Sequence, residues 1–268
     1  MKFKTKQLVD RFAQIISEWP GVECISLNEA ALPDTLDPYF ALILDIYFND
    51  SIPLADKRRE LYGDDIDVFE STGYESAKRE SKDRFLIGDI PVRLEYKSVK
   101  LIDEKASIAH SRLESLWLIK DSGTYGFYRL TNGEIIFSRT GWILELRKRL
   151  QNLGNEFWQS MISANESKME HFLSDLGAAA IQKDEFHYLI SSAGFIKSVC
   201  LTLFSINRRF EPSHRAYYKQ VLELPVLPEA FHAQLETFLR SGIDLGMERK
   251  FSLAQVIARE ILSLGSAV

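Results

Sequence analysis

Apolar and polar positions alternate with two different periods along this chain, and the change between them divides it. Leu8, Phe12, Ile15, Ile16 and Trp19 recur at helical spacing and predict a first helix over about 5–19, stopped by Pro20 and Gly21. A short apolar strand follows over 22–27. After a segment holding Pro33 and Pro38 comes the strongest strand text, FALILDIYF over 40–48. LADKRRELY (54–62) reads as a charged helix, and 63–82 as a polar, turn-rich loop. A hairpin is expected with arms 85–87 and 90–96 around Gly88-Asp89, and a helix over about 103–118. A second hairpin is expected around Thr131-Asn132-Gly133, with arms 126–130 and 134–138, because Asn-Gly between alternating apolar residues favours a tight turn. Beyond about residue 140 the pattern is helical: 140–153, 155–180, 185–209, 213–224, 228–241 and 252–264. In the third of these Phe186, Leu189, Ala193, Ile196, Cys200, Leu203 and Asn207 form one stripe, and Ser213 is placed to cap the next helix.

The fold class that follows is α+β. A small mixed sheet with helices on one side occupies about 1–105, and a mainly helical domain with one small hairpin occupies about 106–268. No apolar run reaches the roughly 18–20 residues that span a bilayer.

Two carboxylates stand out against this pattern. Asp45 lies within an apolar strand, sharing a face with Ala41, Ile43 and Tyr47, and Glu95 shares one with Arg93 and Lys97. A buried carboxylate needs a cation, a metal or donors. Two acids on neighbouring strands can hold Mg²⁺, whose remaining waters give way to phosphate oxygens. The alternative is structural: Asp45 pairs with an arginine, and Glu95 joins Arg93 and Lys97 in a cross-strand charge ladder. If the chain is a catalytically silent scaffold, Asp45→Asn is expected to leave stability equal or higher and to change no activity, because removing the charge relieves desolvation.

Three segments carry a resemblance: DPYFALILDIYF (37–48), KDRFLIGDIPVRLEYK (82–97) and FSINRRFEPSHRAYYKQVLELPVLPE (204–229). Together they resemble a bacterial branch of the DNA polymerase β-type nucleotidyltransferase superfamily. In that branch an acidic α/β head precedes a helical domain whose long helix ends in Asn-Arg-x-aromatic-x-Pro, here Asn207 to Pro212. The resemblance implies that Asp45 and Glu95 are catalytic and hold Mg²⁺. It also implies that Arg58, Arg93, Lys97, Asn207 and Arg208 meet substrate, and that a nucleoside monophosphate passes from its triphosphate to a small acceptor. The chain departs from the pattern twice. Ser26-Leu27-Asn28-Glu29 stands where active members carry Gly-Ser, and neither Ile43 nor Tyr47, two residues either side of Asp45, supplies the second acid of the pair. A catalytically inactive interaction protein on the same fold is therefore the alternative.

Charge narrows the partners. With 33 Lys and Arg against 38 Asp and Glu, the net charge of −5 disfavours a general nucleic-acid binder, and no helix pairs a basic face with an exposed apolar one for a membrane surface. Cys24 and Cys200 read as buried free thiols of a cytoplasmic protein. By composition alone the run Lys57, Arg58 and Arg59, like Arg84, Arg93 and Lys97, reads as a solvated face with phosphate contact as the alternative, and Asp65-Ile66-Asp67 as a solvated turn. The five histidines have no zinc spacing, and Gly-x-Ser-x-Gly, P-loop and dinucleotide patterns are absent from the sequence.

Overall fold

The computed structural model describes residues 3–28, 42–73, 80–240 and 246–266. The Pro33–Pro38 segment and the first residues of the expected 40–48 strand lie outside them. The chain forms an α+β protein in two compact units. Where the sequence suggested one cut near 105, Met1–Leu113 joins Arg129–Asn152 in the first unit, and Glu114–Tyr128 joins Leu153–Val268 in the second.

In the first unit, α1 (Phe3–Ser17) precedes β1 (Val22–Asn28) and β2 (Leu42–Phe48), followed by α2 (Ala55–Tyr62) and the strands β3 (Asp67–Gly73), β4 (Glu80–Ile87) and β5 (Ile90–Ser98). Helix α3 (Val99–Ser111) comes next, and α4 (Trp117–Ser122) belongs to the second unit. The chain passes from the second unit into the first within helix α5 (Tyr125–Asn132), at Arg129, and β6 (Glu134–Ser138) and α6 (Trp142–Gln151) complete the first unit. The sheet order is β3-β4-β5-β2-β1-β6, parallel at β2–β5 and antiparallel at its other pairings. Leu42, Leu44, Ile46 and Phe48 of β2 point to one face, where Phe12 and Ile16 of α1, Trp19, and Tyr62 of α2 close a hydrophobic core. The opposite face carries Ile43, Asp45 and Tyr47. It receives α6, whose Trp142 ring lies 5.5 Å from that of Tyr47.

Two readings of this region need correction. Residues 67–73 are a strand rather than loop, paired with β4 from Asp67 to Gly73; exposed polar residues alternating along an edge hide a strand from an apolar-run criterion. Asp67 opens that strand, while Asp65 stays at the surface in an ion pair with Arg11 at 2.7 Å. The second correction decides the chemistry. Residues 125–132 are helix, not the first arm of a hairpin. Thr124, Phe127 and Leu130 are buried at three-residue spacing, the helical period. Gly133 ends the helix, its N–H bonding to the Arg129 carbonyl at 2.9 Å. A Cβ at Gly133 would come within 2.6 Å of Asn28 Oδ1 and 2.9 Å of the Arg129 carbonyl oxygen, so close packing requires glycine here.

The second unit is helical, built from α7 (Asn155–Gln182), α8 (Glu185–Ile206), α9 (Tyr217–Leu222), α10 (Phe231–Leu239) and α11 (Met247–Gly265). The helices lie close to their expected positions, but of the expected α8 stripe only the C-terminal part, with Cys200 and Leu203, is buried. Phe186 and Leu189 are 75% and 65% exposed, while Ser191, Phe195, Ser198, Val199 and Thr202 are buried. Small side chains set this face: Gly194 lies so close to Phe172 of α7 that a Cβ there would meet its ring at 2.4 Å. Ser198 and Thr202 return their hydroxyls to carbonyls four residues back, which removes the cost of burying them. Helix α8 is long and apolar enough to cross a membrane by length and composition alone, although Lys197 interrupts its apolar run. Its buried half, however, packs against α7 and α11 in the core of the unit. Asp184 caps it, accepting from His187 N–H at 2.9 Å. Ser213 makes no side-chain cap. Cys24 and Cys200 are both buried and free.

Candidate functional site

Parallel pairing sets Asp45 of β2 directly beside Glu95 of β5. Both carboxylates are out of solvent, at 0% and 4% exposure. The space between them is filled by an arginine. Arg129 on α5 donates from Nη2 to Asp45 Oδ1 at 2.6 Å and from Nη1 to Glu95 Oε2 at 2.8 Å. One guanidinium thus spans the pair.

Asp45 has three further donors. Lys97 Nζ reaches Oδ1 at 2.8 Å, while Asn28 Nδ2 and the Tyr47 hydroxyl reach Oδ2 at 2.7 and 3.2 Å. Around Glu95, Lys97 Nζ lies 3.3 Å from Oε2, and Lys82 Nζ 4.0 Å from Oε1. Arg93 Nε lies 3.0 Å from Oε1, a charge contact without hydrogen-bond alignment. Burial opposes ionisation of Glu95, but Lys97, Arg129, Lys82 and Arg93 outweigh it and hold its pKa down at about 2. Burial and the Asp45 charge push Tyr47 well above the usual phenol range, so it remains a donor.

A consequence for acid stability follows. Because Glu95 binds its proton more weakly folded than unfolded, its stabilisation is fully present above its ordinary pKa of 4.5 and is lost as pH falls toward 2. The shift corresponds to roughly 3 kcal/mol. Glu95→Gln should therefore flatten the pH 2–4.5 limb of a urea-unfolding series; an unchanged limb would show that other groups govern it.

The local sequence explains how Arg129 arrives here. Helix α5 places Arg129 one residue before the buried Leu130, and α6 fixes the end of the helix. Arg147 donates from Nε to the Leu130 carbonyl at 2.8 Å and from Nη2 to the Gly133 carbonyl. Asn28, in the segment that lacks the Gly-Ser pair, both abuts Gly133 and donates to Asp45.

The remaining expected substrate contacts are placed elsewhere. Arg58 does not present a free cation to a phosphate. It is buried, donating to both oxygens of Asp83 at 2.7 Å, to Ser71 Oγ and to the Pro53 carbonyl. Lys57 is on the exposed side of α2, paired with Glu60. In the second unit Asn207 closes the end of α8. Its amide donates to the Leu203 and Val226 carbonyls and its Oδ1 accepts from Val226 N–H. Arg208, with φ of +52°, donates to Asn155 Oδ1 at 2.8 Å. Among the expected residues the first unit brings together Asp45, Glu95, Arg93 and Lys97 and turns Arg58 to Asp83, while Asn207 and Arg208 belong to the second unit. Arg129, Asn28 and Lys82 were missed. Arg129 was hidden by the hairpin misreading. Lys82 is legible once β4 is extended back to Glu80, which sets it opposite Glu95.

Comparison with solved structures finds the architecture in a nucleotidyltransferase-like fold. A nucleotidyltransferase-like protein from Exiguobacterium sibiricum superposes with a TM-score of 0.53 at 12% identity, over 96% of this chain and 74% of that one. At that identity the likeness is one of fold. Residues 122–219 match a family described as a domain of unknown function (DUF4037), a span that contains Arg129, Asn207 and Arg208. No curated protein matches the chain.

Proposed function

We propose that this chain is a nucleotidyltransferase-fold protein in which the acidic pair has become a structural charge cluster, so that it acts by binding rather than by metal-dependent transfer. One observation carries the reading: the Arg129 guanidinium bridges Asp45 and Glu95, at 2.6 and 2.8 Å. A divalent cation would have to replace that guanidinium and lie against Lys97, 2.8 Å from Asp45. Like charges at that range repel, and the cost grows where solvent is excluded. The missing Gly-Ser pair and second acid support the same conclusion, since both serve a metal-bound triphosphate.

A second reading keeps the transferase chemistry of the polymerase β type. Asp45 and Glu95 would hold Mg²⁺, and a nucleoside monophosphate would move from a triphosphate to a small hydroxyl or amino acceptor in the cytoplasm. The register of the two acids favours it. It requires Arg129 and Lys97 to leave the carboxylates together. Titration of ATP, GTP, CTP and UTP at millimolar Mg²⁺, with pyrophosphate release followed, separates the two. Binding reactivity is expected to gain nothing from Mg²⁺, with no pyrophosphate formed. Mg²⁺-dependent binding that disappears in Asp45→Asn would favour the transferase.

A further inference from the structure

Among the described residues, the ion pairs around the two carboxylates do not balance in charge. Asp45 and Glu95 carry two negative charges, and Lys82, Arg93, Lys97 and Arg129 carry four positive ones in ion-pair contact with them. The excess rises towards solvent, with side-chain exposures of 7% for Arg129, 16% for Lys97, 31% for Arg93 and 44% for Lys82. Next to these, the β4–β5 register sets Arg84 directly opposite Arg93. Residues directly opposite share a face, and like charges in that relation destabilise a sheet unless something lies between them. Glu70 stands opposite Arg84 on β3. Asp67 of β3 stands opposite Leu86 on the same face, so among the described side chains five cations face four acids on this surface of a protein whose net charge is −5.

From this geometry we infer that the β4–β5 face binds a small phosphate-bearing anion directly, without a metal ion, through Lys82, Arg84 and Arg93, with Lys97 and Arg129 behind them. The inference rests on the reading of Arg129 as the resident occupant of the acidic pair. Arginine forks suit phosphate oxygens, and a phosphate between Arg84 and Arg93 turns their repulsion into two charge-assisted bonds. Scale selects the ligand. Neighbouring strands lie about 4.8 Å apart and alternate residues about 6.7 Å. The cations therefore stand on a patch sized for a di- or triphosphate, not along a track for a nucleic-acid backbone, which the net charge also disfavours. Glu95, ionised down to about pH 2, remains an acid on the inner rim that turns the anion outward to Lys82, Arg84 and Arg93.

The test is calorimetric titration of the full chain with inorganic pyrophosphate, and separately with ATP, both in EDTA. Saturable binding in EDTA is expected. It should weaken as salt rises, weaken again when Mg²⁺ neutralises the ligand, and fall about tenfold or more in Arg84→Gln. Arg84 is exposed and outside the buried cluster, so this variant keeps the fold. Tighter ATP than pyrophosphate would assign part of the site to a nucleoside; equal affinity would assign it to phosphate alone, and both support the inference. No binding with or without Mg²⁺ overturns it and leaves the Arg129 bridge standing. Binding in EDTA that Arg84→Gln and Arg93→Gln leave unchanged also overturns it. Binding that requires Mg²⁺ and is lost in Asp45→Asn overturns both this inference and the proposed function.

Discussion

Replacing Arg129 by methionine is expected to destabilise the protein by about 3 kcal/mol or more, as removing one member of a buried ion pair does. On a chain of this size that lowers the melting temperature by roughly 5 °C. The cause is the state left behind. Asp45 and Glu95 are both out of solvent, and their charges would face each other with Lys97 as the shared cation. Asp45→Asn belongs to the same experiment, and here the structure reverses an expectation. An unpartnered aspartate in an apolar strand would gain stability on losing its charge. With four donors converging on it, Asp45 should lose stability instead. The double variant should be less destabilised than the sum of the two singles by at least about 1 kcal/mol, because each removes the partner whose loss isolates the other. Additive effects, measured by urea unfolding, would deny the Arg129–Asp45 bond.

Asp83→Ala should do comparable damage for a different reason. Asp83 is fully buried and accepts from Arg58 Nε and Nη2 at 2.7 Å, and from the Tyr62 and Ser71 hydroxyls at 2.8 Å. Removing it strands a buried guanidinium, stacked 4.8 Å over the Tyr96 ring, at a cost of about 3–5 kcal/mol. Against a total stability of about 5–15 kcal/mol, that is enough to leave much of the first unit unfolded at 37 °C. Lys57→Ala, one residue from Arg58, removes only an exposed pair with Glu60 and should cost less than about 1 kcal/mol. Circular dichroism melts of the two variants side by side test this. Equal, small losses would mean that the buried Arg58–Asp83 network contributes little.

These pairs show how far the sequence could be read. Asp45 and Glu95 were visible because charge inside an apolar strand needs a partner whatever the fold, and strand periodicity gave their faces. Which partner they take depends on tertiary placement. Arg129 is 84 residues from Asp45, in an alternating stretch around an Asn-Gly pair that reads as a hairpin until its burial at 124, 127 and 130 is known. Arg58 failed in the opposite way. A run of three cations implies a solvated helix face, and nothing in the run says that its middle member turns inward to Asp83. The N-terminal part of the buried side of α8 was missed because the buried Ser191 and Ser198, and Gly194 against Phe172, are not large apolar residues. Edge strand β3 was missed because its side chains are polar and mostly exposed.

The occupant of the acidic pair can be measured without any nucleotide. Mn²⁺ added to the full chain and followed by electron paramagnetic resonance reports whether Asp45 and Glu95 are available to a divalent cation. With Arg129 seated between them, free Mn²⁺ signal should persist at submillimolar metal, with no saturable site. A single saturable site that disappears in Asp45→Asn would contradict the guanidinium bridge and return the pair to metal chemistry.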